Sequence, residues 1–325
     1  MKRRIGASTW TGGSELVVLA WHNVEGTWRF PAAPGSGIRC FTKQLRALRR
    51  MTSVVPLDVG LSALREGRQL PSRAVALTFD DGYRDNLTLA TPVLRELDLP
   101  ATVYLVPGLL DGEIDPWWER LGWAFTKAGV PSIEFEGVTL DLRSPAARRA
   151  SLERVEPMLK ARDESARREA VACLVEMLVP AGSYRADDLF MNWAEASDLA
   201  RAGISIGSHT MRHVILARET EDSQRVDLRE SRCRLQDALD VPVTTLAYPN
   251  GQLGDYDTTT TAAAAAVGYS HAVTAWGLVN HRTTAPYEIR RRMVAPGDNV
   301  VKMILALIRG VHRARTAPDT RLPSP

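Results

Sequence analysis

Two adjacent aspartates are the first candidates for chemistry in this chain. Asp80 and Asp81 follow the apolar run 74–77 and stand in the order Thr-Phe-Asp-Asp-Gly-Tyr. Neighbouring carboxylates repel each other unless a cation lies beside them, so the pair indicates a metal site. A simple turn between a strand and a helix uses the same Asp-Gly pattern, and this motif alone does not separate the two interpretations.

A pair of histidines four positions apart is the second candidate. His209 and His213 belong to the segment Gly-Ser-His-Thr-Met-Arg-His, which follows another apolar run. On one helical turn this spacing places both imidazoles on the same side, where they can reach one ion. Two imidazoles and one carboxylate suit zinc and its neighbours, and they leave coordination positions open for water and substrate. A lone His-x-x-x-His pattern is more often structural, but this pair is predicted to share a sheet edge with Asp80 and Asp81.

A loop with proline and glycine, residues 247–251, is the third candidate. Its sequence Ala-Tyr-Pro-Asn-Gly fixes an irregular backbone whose N–H groups can face a cavity, with Asn250 as the oxyanion donor. Taken alone it is an ordinary turn. All three motifs follow predicted strands, and the carboxyl ends of parallel strands converge on one cavity. The sequence therefore predicts a single site that combines them.

The elements that must position these motifs alternate between strand and helix. Short apolar runs are typical of buried parallel strands, and segments with apolar residues at three-to-four spacing lie between them. The predicted strands are 16–21, 74–79, 102–106, 204–208, 244–248 and 270–274, and the predicted helices are 41–51, 83–97, 193–202, 220–239, 258–267 and 299–313. This alternation predicts an α/β fold with a parallel sheet or barrel.

Residues 111–191 interrupt the alternation and predict an insertion, or lid, within one catalytic domain that spans 14–313. The insertion contains a tryptophan-rich helix, a hairpin that turns at Glu136-Gly137, and a long helical segment over 145–178. The polar end, 314–325, contains prolines and shows no periodicity, so it is predicted to be a disordered tail.

Taken together, the three motifs resemble those of the polysaccharide deacetylases with a NodB-homology domain, carbohydrate esterase family four. The resemblance covers residues 14–110 and 190–295. It implies a distorted (β/α) barrel of seven or eight strands, and removal of an N-acetyl group from an amino sugar in a polysaccharide, a lipid-linked sugar or a small glycoside. It also implies a divalent cation held by Asp81, His209 and His213, with Asp80 as general base. Zinc is the first candidate for this cofactor, and cobalt, nickel and manganese are alternatives.

The third motif departs from the family pattern at its first position. Many members carry an arginine there to orient the aspartate base, whereas this chain has Ala247. A subgroup with an Ala-Tyr-Pro-x-Gly loop is more similar. Another group must then hold Asp80, and the arginines of the run 290–292 are the candidates: Arg290, Arg291 and Arg292.

The late Leu-x-His motif that carries the general acid in this family is not evident. The segment Leu-Ala-Trp-His-Asn-Val resembles the Tyr-His-x-Val segment of members with a circularly permuted barrel, which implies His22 as the acid. The alternative is a strand-end histidine without a chemical role. His271 and His281 are weaker candidates, because His271 has the apolar neighbours of a core residue.

Several side chains near the motifs are candidates for contacts with a sugar. Tyr83, Tyr248 and Pro249 flank the acidic and proline motifs and are predicted to bind substrate. Aromatic side chains offer flat apolar faces to pyranose rings. Three tryptophans of the insertion could do the same or form the buried stripe of their helix, which is the favoured interpretation: Trp117, Trp118 and Trp123.

Two other functions remain open at this point. A glycan-binding protein with weakened catalysis is favoured slightly by the missing arginine and late histidine, and disfavoured by the complete aspartate-histidine set. Another amide hydrolase on the same fold, such as a deformylase or an imide hydrolase, can be separated only with a panel of substrates.

Composition excludes other classes of protein. The 325 residues are 45% hydrophobic and 24% charged, as in a globular protein, and the net charge of +3 comes from scattered basic residues, which indicates no nucleic-acid partner. The three cysteines lack CxxC spacing.

Lys2, Arg3 and Arg4 are not followed by a signal-like apolar region, and no run is long enough to span a membrane, so a cytoplasmic location is expected. The sequence does not predict the oligomeric state.

Overall fold

Strands and helices alternate along most of the chain, as the apolar runs predict. The computed structural model describes residues 13–32, 35–186, 188–294 and 298–316. The strands are β1 (Leu16–Trp21), β2 (Ser53–Val54), β3 (Ala74–Phe79), β4 (Thr102–Leu105), β5 (Ser132–Phe135), β6 (Val138–Asp141), β7 (Ser205–Ser208), β8 (Thr245–Ala247), β9 (His271–Val273), β10 (Val279–Asn280) and β11 (Arg292–Met293). The α-helices are α1 (Ile38–Met51), α2 (Leu57–Glu66), α3 (Thr91–Glu96), α4 (Pro107–Leu110), α5 (Trp117–Thr126), α6 (Pro145–Lys160), α7 (Glu164–Leu178), α8 (Trp193–Arg201), α9 (Glu221–Leu239), α10 (Thr258–Val267) and α11 (Val300–Thr316). A π-helical turn covers Asn86–Ala90 and a 3-10 turn covers Leu216–Arg218.

The main sheet has the order β10-β1-β3-β4-β7-β8-β9, with β2 beside β3 and β11 beside β1. The six strands from β1 to β9 in this order pair in parallel. In the β1–β3 register, Leu16 pairs with Ala74 and Trp21 with Phe79. The residues that follow these two strands therefore leave the sheet at the same edge.

Residues 289–293 close the sheet into a distorted barrel. Ile289 forms a parallel bridge with Val273 beside β9, and its carbonyl accepts a hydrogen bond from Thr274 N–H at 2.8 Å. The next residues form β11, in which Arg292 pairs with Leu19 of β1. One segment thus contacts both edges of the sheet, and the predicted α/β barrel is confirmed.

Alternate residues of the central strands face two apolar layers, because side chains of a strand point to opposite faces. Leu16 and Val18 of β1 pack inside the barrel with Tyr104. Val17 and Leu19 pack outward against the helices, where Phe41 of α1 contributes to the same cluster. All six residues of β1 are buried, which explains the unbroken apolar run of the sequence.

The insertion has an apolar cluster of its own, formed by α5, the β5–β6 hairpin, α6 and α7. The hairpin turns at Glu136 and Gly137, which have φ of 49° and 77°, as predicted. The long helical segment expected over 145–178 is divided into two helices, α6 and α7. Asp163 starts a second helix there, because its side chain accepts a hydrogen bond from Ala166 N–H at 2.9 Å and caps α7.

Two other helices differ from the pattern-based expectation. The predicted helix 83–97 contains the π-helical turn just before α3, because Pro92 has no N–H to donate to the preceding turn. Helix α2 was not predicted, since Gly60 weakens its pattern. A Cβ at Gly60 would lie 2.9 Å from Leu16 Cδ2, so glycine allows α2 to pack closely on β1.

Helix α11 extends to Thr316, so it includes the first residues of the predicted tail 314–325. Residues 317–325 lie outside the described part of the chain. None of the helices within the described residues is long and apolar enough to cross a membrane.

Candidate active site

A sharp turn after β3 directs Asp80 and Asp81 into one cavity. Asp80 N–H donates a hydrogen bond to Trp21 O at 2.9 Å, which ties the turn to the end of β1. Asp81 and Gly82 both have left-handed backbone angles, with φ of 71° and 75°. A Cβ at Gly82 would lie 2.8 Å from Leu105 Cδ2, so only glycine fits beside the end of β4. Both carboxylates are buried.

The two histidines follow β7 in a loop and not on the predicted helical turn. Thr210 and His213 have left-handed φ of 66° and 56°, which a helix excludes. Asp227 of α9 holds the loop, because its carboxylate accepts a hydrogen bond from Met211 N–H at 2.7 Å. Met211 O in turn accepts from Gly108 N–H at 3.0 Å. The loop still brings both imidazoles to one point, so the grouping was predicted for the wrong geometric reason.

Asp81, His209 and His213 form the one group of potential metal ligands found within the described residues. Asp81 Oδ1 lies 3.3 Å from Nε2 of each histidine. Ligands of a tetrahedral ion with bonds of about 2.0–2.1 Å are separated by about 3.3 Å. The separations therefore fit a divalent cation bound by all three side chains.

The hydrogen bonding of His209 orients it as a ligand. Its Nδ1 lies 2.7 Å from Ala247 O, and because a carbonyl only accepts, Nδ1 carries a hydrogen and Nε2 faces Asp81. Burial opposes the charged imidazole, but the carboxylates of Asp81 and Asp80 outweigh it and raise the pKa of His209. A cation at this point therefore competes with a proton. Burial lowers the pKa of His213, which favours the neutral form that binds metal.

Arg291 orients the second carboxylate. Its guanidinium donates two hydrogen bonds to Asp80, at 2.7 Å to Oδ1 and 2.8 Å to Oδ2, and its Nε donates to Thr274 O at 2.7 Å. Both side chains are almost completely buried. Burial opposes the charge on Asp80, but Arg291 outweighs it and the pKa of Asp80 lies below its ordinary value. Among the three candidate arginines of the run 290–292, Arg291 is the one that contacts Asp80.

The third motif contributes an unpaired donor. Asn250 has a left-handed φ of 58°, and its buried Nδ2 has no hydrogen-bond partner among the described residues. Gly251 is required at the next position, where a Cβ would lie 2.8 Å from Ala275 N. Tyr248 is buried, stacks on Tyr256 at 4.5 Å and donates its hydroxyl to Tyr287 O.

The three motifs and the insertion line a cavity of about 210 Å³. The barrel contributes His22, Asp80, Asp81, His209, His213, Tyr248, Asn250, Gln252, Ala275 and Met293. The loop after β1 contributes Arg29 and Phe30, and the insertion contributes Trp117, Trp118, Glu156 and Lys160. Most of the predicted site residues are therefore brought together. Tyr83 and Pro249 are buried and do not line this cavity.

Tyr83 instead links the insertion to the motif that precedes it. Its hydroxyl accepts a hydrogen bond from Trp118 Nε1 at 2.9 Å and donates to Glu119 Oε1 at 2.7 Å. The Trp118 ring packs on His213, with ring centroids 4.2 Å apart. All three tryptophans belong to the buried cluster of the insertion, as favoured from the sequence, and two of them also reach the cavity: Trp117 and Trp118.

His22 follows β1 and stacks on Phe30, with ring centroids 5.0 Å apart. Asn86 Nδ2 donates to its carbonyl at 2.8 Å. The other weak candidates lie elsewhere. His271 is buried at the opposite, amino end of β9, and neither it nor His281 lines the cavity.

Asp85 holds the loop that follows His22, a contact that no sequence pattern predicted. Its Oδ2 accepts hydrogen bonds from the backbone N–H of Val24 and Glu25, at 2.8 and 2.9 Å. Burial raises the pKa of Asp85 from 3.8 to about 6, although the two backbone donors oppose this shift. The folded state therefore binds a proton here more tightly than the unfolded chain does.

We expect Asp85→Asn to stabilise the protein above pH 6. The amide oxygen can still accept both hydrogen bonds, while the cost of a buried charge disappears, a gain on the order of 1–2 kcal/mol at pH 7. Because the folded pKa is raised, the contribution of this carboxyl to stability falls as the pH rises from about 4 to about 6. Urea unfolding at pH 4.5 and pH 7 measures the difference between variant and wild type. Asp85→Ala, which has no acceptor, should destabilise at both pH values, and a gain for Asp85→Asn that is equal at both would contradict the assignment.

Solved structures of deacetylases have the same fold. A Streptococcus pyogenes deacetylase, PplD in complex with acetate, matches with a TM-score of 0.61 and 16% identity over 90% of this chain and 98% of that chain. IcaB from Ammonifex degensii matches with a TM-score of 0.57 and 20% identity over 92% and 98% of the two chains. At these identities the likeness shows the fold alone.

Sequence comparisons identify the family. The Bacillus subtilis (strain 168) protein YxkH, named as a polysaccharide deacetylase, is 30% identical over 290 residues, which are 87% of this chain and 73% of that protein. The poly-β-1,6-N-acetyl-D-glucosamine N-deacetylase of Escherichia coli (strain K12) is 35% identical over 105 residues, 31% of this chain and only 15% of that longer protein. The profile of the family described as polysaccharide deacetylase matches residues 67–272. The chain belongs to the polysaccharide deacetylase family.

Proposed function

We propose that this chain is a metal-dependent hydrolase that removes the N-acetyl group from an N-acetylated amino sugar. The observation that carries the proposal is the Asp80–Arg291 pair beside the Asp81, His209 and His213 group in one cavity. The Escherichia coli relative is named as an N-deacetylase of poly-β-1,6-N-acetyl-D-glucosamine, and this supports the choice of substrate.

Asp80 is proposed as the general base. A carboxylate that accepts a proton during reaction must be ionised beforehand, and Arg291 keeps the pKa of Asp80 low in spite of its burial. When bound by Asp81 and the two histidines, a divalent cation such as zinc supplies Lewis acidity to the acetyl carbonyl and to a water molecule. Asp80 lies next to this group in the chain and is aligned by two hydrogen bonds, so it can take a proton from such a water.

Two further residues are proposed to act on the acetyl group and the amine. Asn250 lines the cavity, and its backbone N–H is proposed to stabilise the developing oxyanion. His22 lines the same cavity at the end of β1 and is proposed to protonate the departing amine. Tyr248, Trp117 and Trp118 are proposed to contact the sugar.

The paired base argues against a glycan-binding protein without catalysis. The missing arginine of the third motif was one of two sequence features in favour of that alternative, with the missing late histidine as the other. Arg291 supplies the bidentate contact from the segment just before β11, so the absence at Ala247 does not leave Asp80 without a cation. Binding alone has no need for an aligned and ionised carboxylate beside a metal site.

Removal of the metal tests the proposal directly. Treatment with a chelator should reduce acetate release from an N-acetylglucosamine oligomer more than about 100-fold, because metal ligation contributes several kcal/mol to the transition state. Dialysis into zinc, cobalt, nickel or manganese should restore activity and identify the preferred ion. A glucosamine oligomer without acetyl groups is the blank. Full activity in the chelated protein, with metal content verified as absent, would contradict the proposal.

A further inference from the structure

A second charged group lines the wall of the cavity opposite the barrel motifs. It consists of Arg29, from the loop after β1, and Glu156 and Lys160, one turn apart on α6 of the insertion. Arg29 Nη2 donates to Glu156 Oε2 at 2.7 Å, and its Nε contacts the other carboxylate oxygen. The backbone N–H of Arg29 also donates to Glu119 Oε2 at 3.0 Å, which ties the loop after β1 to α5.

The charges of this group do not balance. Both oxygens of Glu156 are engaged by Arg29, and within the described residues no ion pair is formed by the Lys160 ammonium. Lys160 is half-buried at the cavity wall. Burial lowers the pKa of Lys160; the nearby carboxylates of Glu156 and Asp255 oppose this effect, while Arg29 adds to it. A partly desolvated ammonium that no carboxylate contacts directly has an unfavourable energy that an incoming anion would relieve.

We infer that Lys160, supported by Arg29, forms a subsite that selects substrates with an anionic group, a carboxylate or a phosphate, near the N-acetyl group. The inference rests on the proposed deacetylase function and specifies its substrate class. A neutral sugar can offer only hydroxyl groups to Lys160, which leaves the charge uncompensated. The strand ends of the barrel supply the residues for the reaction. The insertion and the loop after β1 supply the selectivity for anionic substrates.

Three substrates distinguish a phosphate from a carboxylate and both from a neutral sugar. They are the methyl glycoside of N-acetylglucosamine, which is neutral, N-acetylglucosamine 1-phosphate, and N-acetylmuramic acid, which carries a carboxylate. For the metal-loaded wild type, we expect kcat/KM to be about tenfold or more higher for at least one anionic substrate, through a lower KM. Lys160→Gln should remove this advantage and leave the neutral substrate within about twofold, and Lys160→Arg should retain part of it. Lys43→Gln, at an exposed lysine of α1 outside the cavity, is the matched control.

The preferred substrate identifies the group, a phosphate or a carboxylate. Equal kcat/KM for all three substrates in the wild type would overturn the subsite, and so would a Lys160→Gln variant that loses activity equally on all three. If none of the three releases acetate, calorimetric titration tests the subsite alone; the proposed function fails only if an N-acetylglucosamine oligomer also releases no acetate. Both anionic sugars are titrated into metal-loaded wild type and Lys160→Gln. We expect Kd to rise about tenfold in the variant for at least one of them, and unchanged Kd for both would overturn the inference.

Discussion

Asp80→Asn is expected to reduce turnover about 1000-fold or more while the protein keeps its metal, because the amide cannot accept a proton. Asparagine has nearly the shape of aspartate and still offers one oxygen to Arg291, but it leaves the buried Arg291 charge uncompensated, so a loss of stability of about 3–5 kcal/mol is also expected. The measurements are kcat for acetate release from an N-acetylglucosamine oligomer and metal content after gel filtration.

Asp81→Asn is the matched control for this experiment. It makes the same chemical change at the neighbouring residue, but here it removes a charged ligand that lies 3.3 Å from both histidine nitrogens. We expect the Asp81 variant to lose metal as well as turnover. Wild-type turnover in Asp80→Asn would remove Asp80 from the role of base, and metal loss in that variant would reassign it as a ligand.

Arg291→Gln is expected to lower kcat/KM about 10- to 100-fold at pH 7, as does loss of other groups that orient an active-site residue. It should also move the acid limb of the pH–rate profile to higher pH. Arg291 is the largest effect that lowers the pKa of Asp80 against burial, so the loss of Arg291 raises that pKa. Activity requires ionised Asp80 and is then lost at a higher pH than in the wild type.

Two further variants make this result interpretable. Arg292→Gln removes a neighbouring positive charge that does not contact Asp80, and it should leave the acid limb in place. Loss of Arg291 leaves a buried carboxylate unpaired, which costs about 3–5 kcal/mol of stability. The double variant Arg291→Gln/Asp80→Asn removes that charge and should recover stability but not activity. An unshifted acid limb in a folded Arg291 variant would refute the orienting role.

The barrel and the group of potential metal ligands could be predicted from sequence because both depend on short patterns. Apolar runs identify the parallel strands, and strand ends of a parallel sheet meet at one edge, so Asp81, His209 and His213 were placed together without coordinates. The His-x-x-x-His spacing was read as a helical turn, but a loop with left-handed Thr210 and His213 brings the imidazoles together. The prediction succeeded because both geometries bring the side chains to one side.

Contacts between distant segments could not be predicted in the same way. The sequence limited the possible partners of Asp80 to three consecutive arginines. Only the register of β11 on β1 decides which of the three faces inward. Tyr83 was expected to bind substrate because it is aromatic and next to the acidic motif, yet its hydroxyl is engaged by Trp118 and Glu119. Lys160 lies in an ordinary amphipathic helix, and nothing in its local sequence indicates the cavity.

The segment 289–293 closes the sheet between β9 and β1 and also carries Arg291. Asp80, the proposed base, is therefore aligned only after this late part of the chain has docked on the first strand. A nascent chain that has emerged from the ribosome only as far as β9 holds both aspartates and both histidines but has no guanidinium for Asp80. Truncation or misfolding of about the last sixth of the chain, after β9, should thus yield a protein that can still gather the proposed metal ligands but leaves the proposed base unaligned.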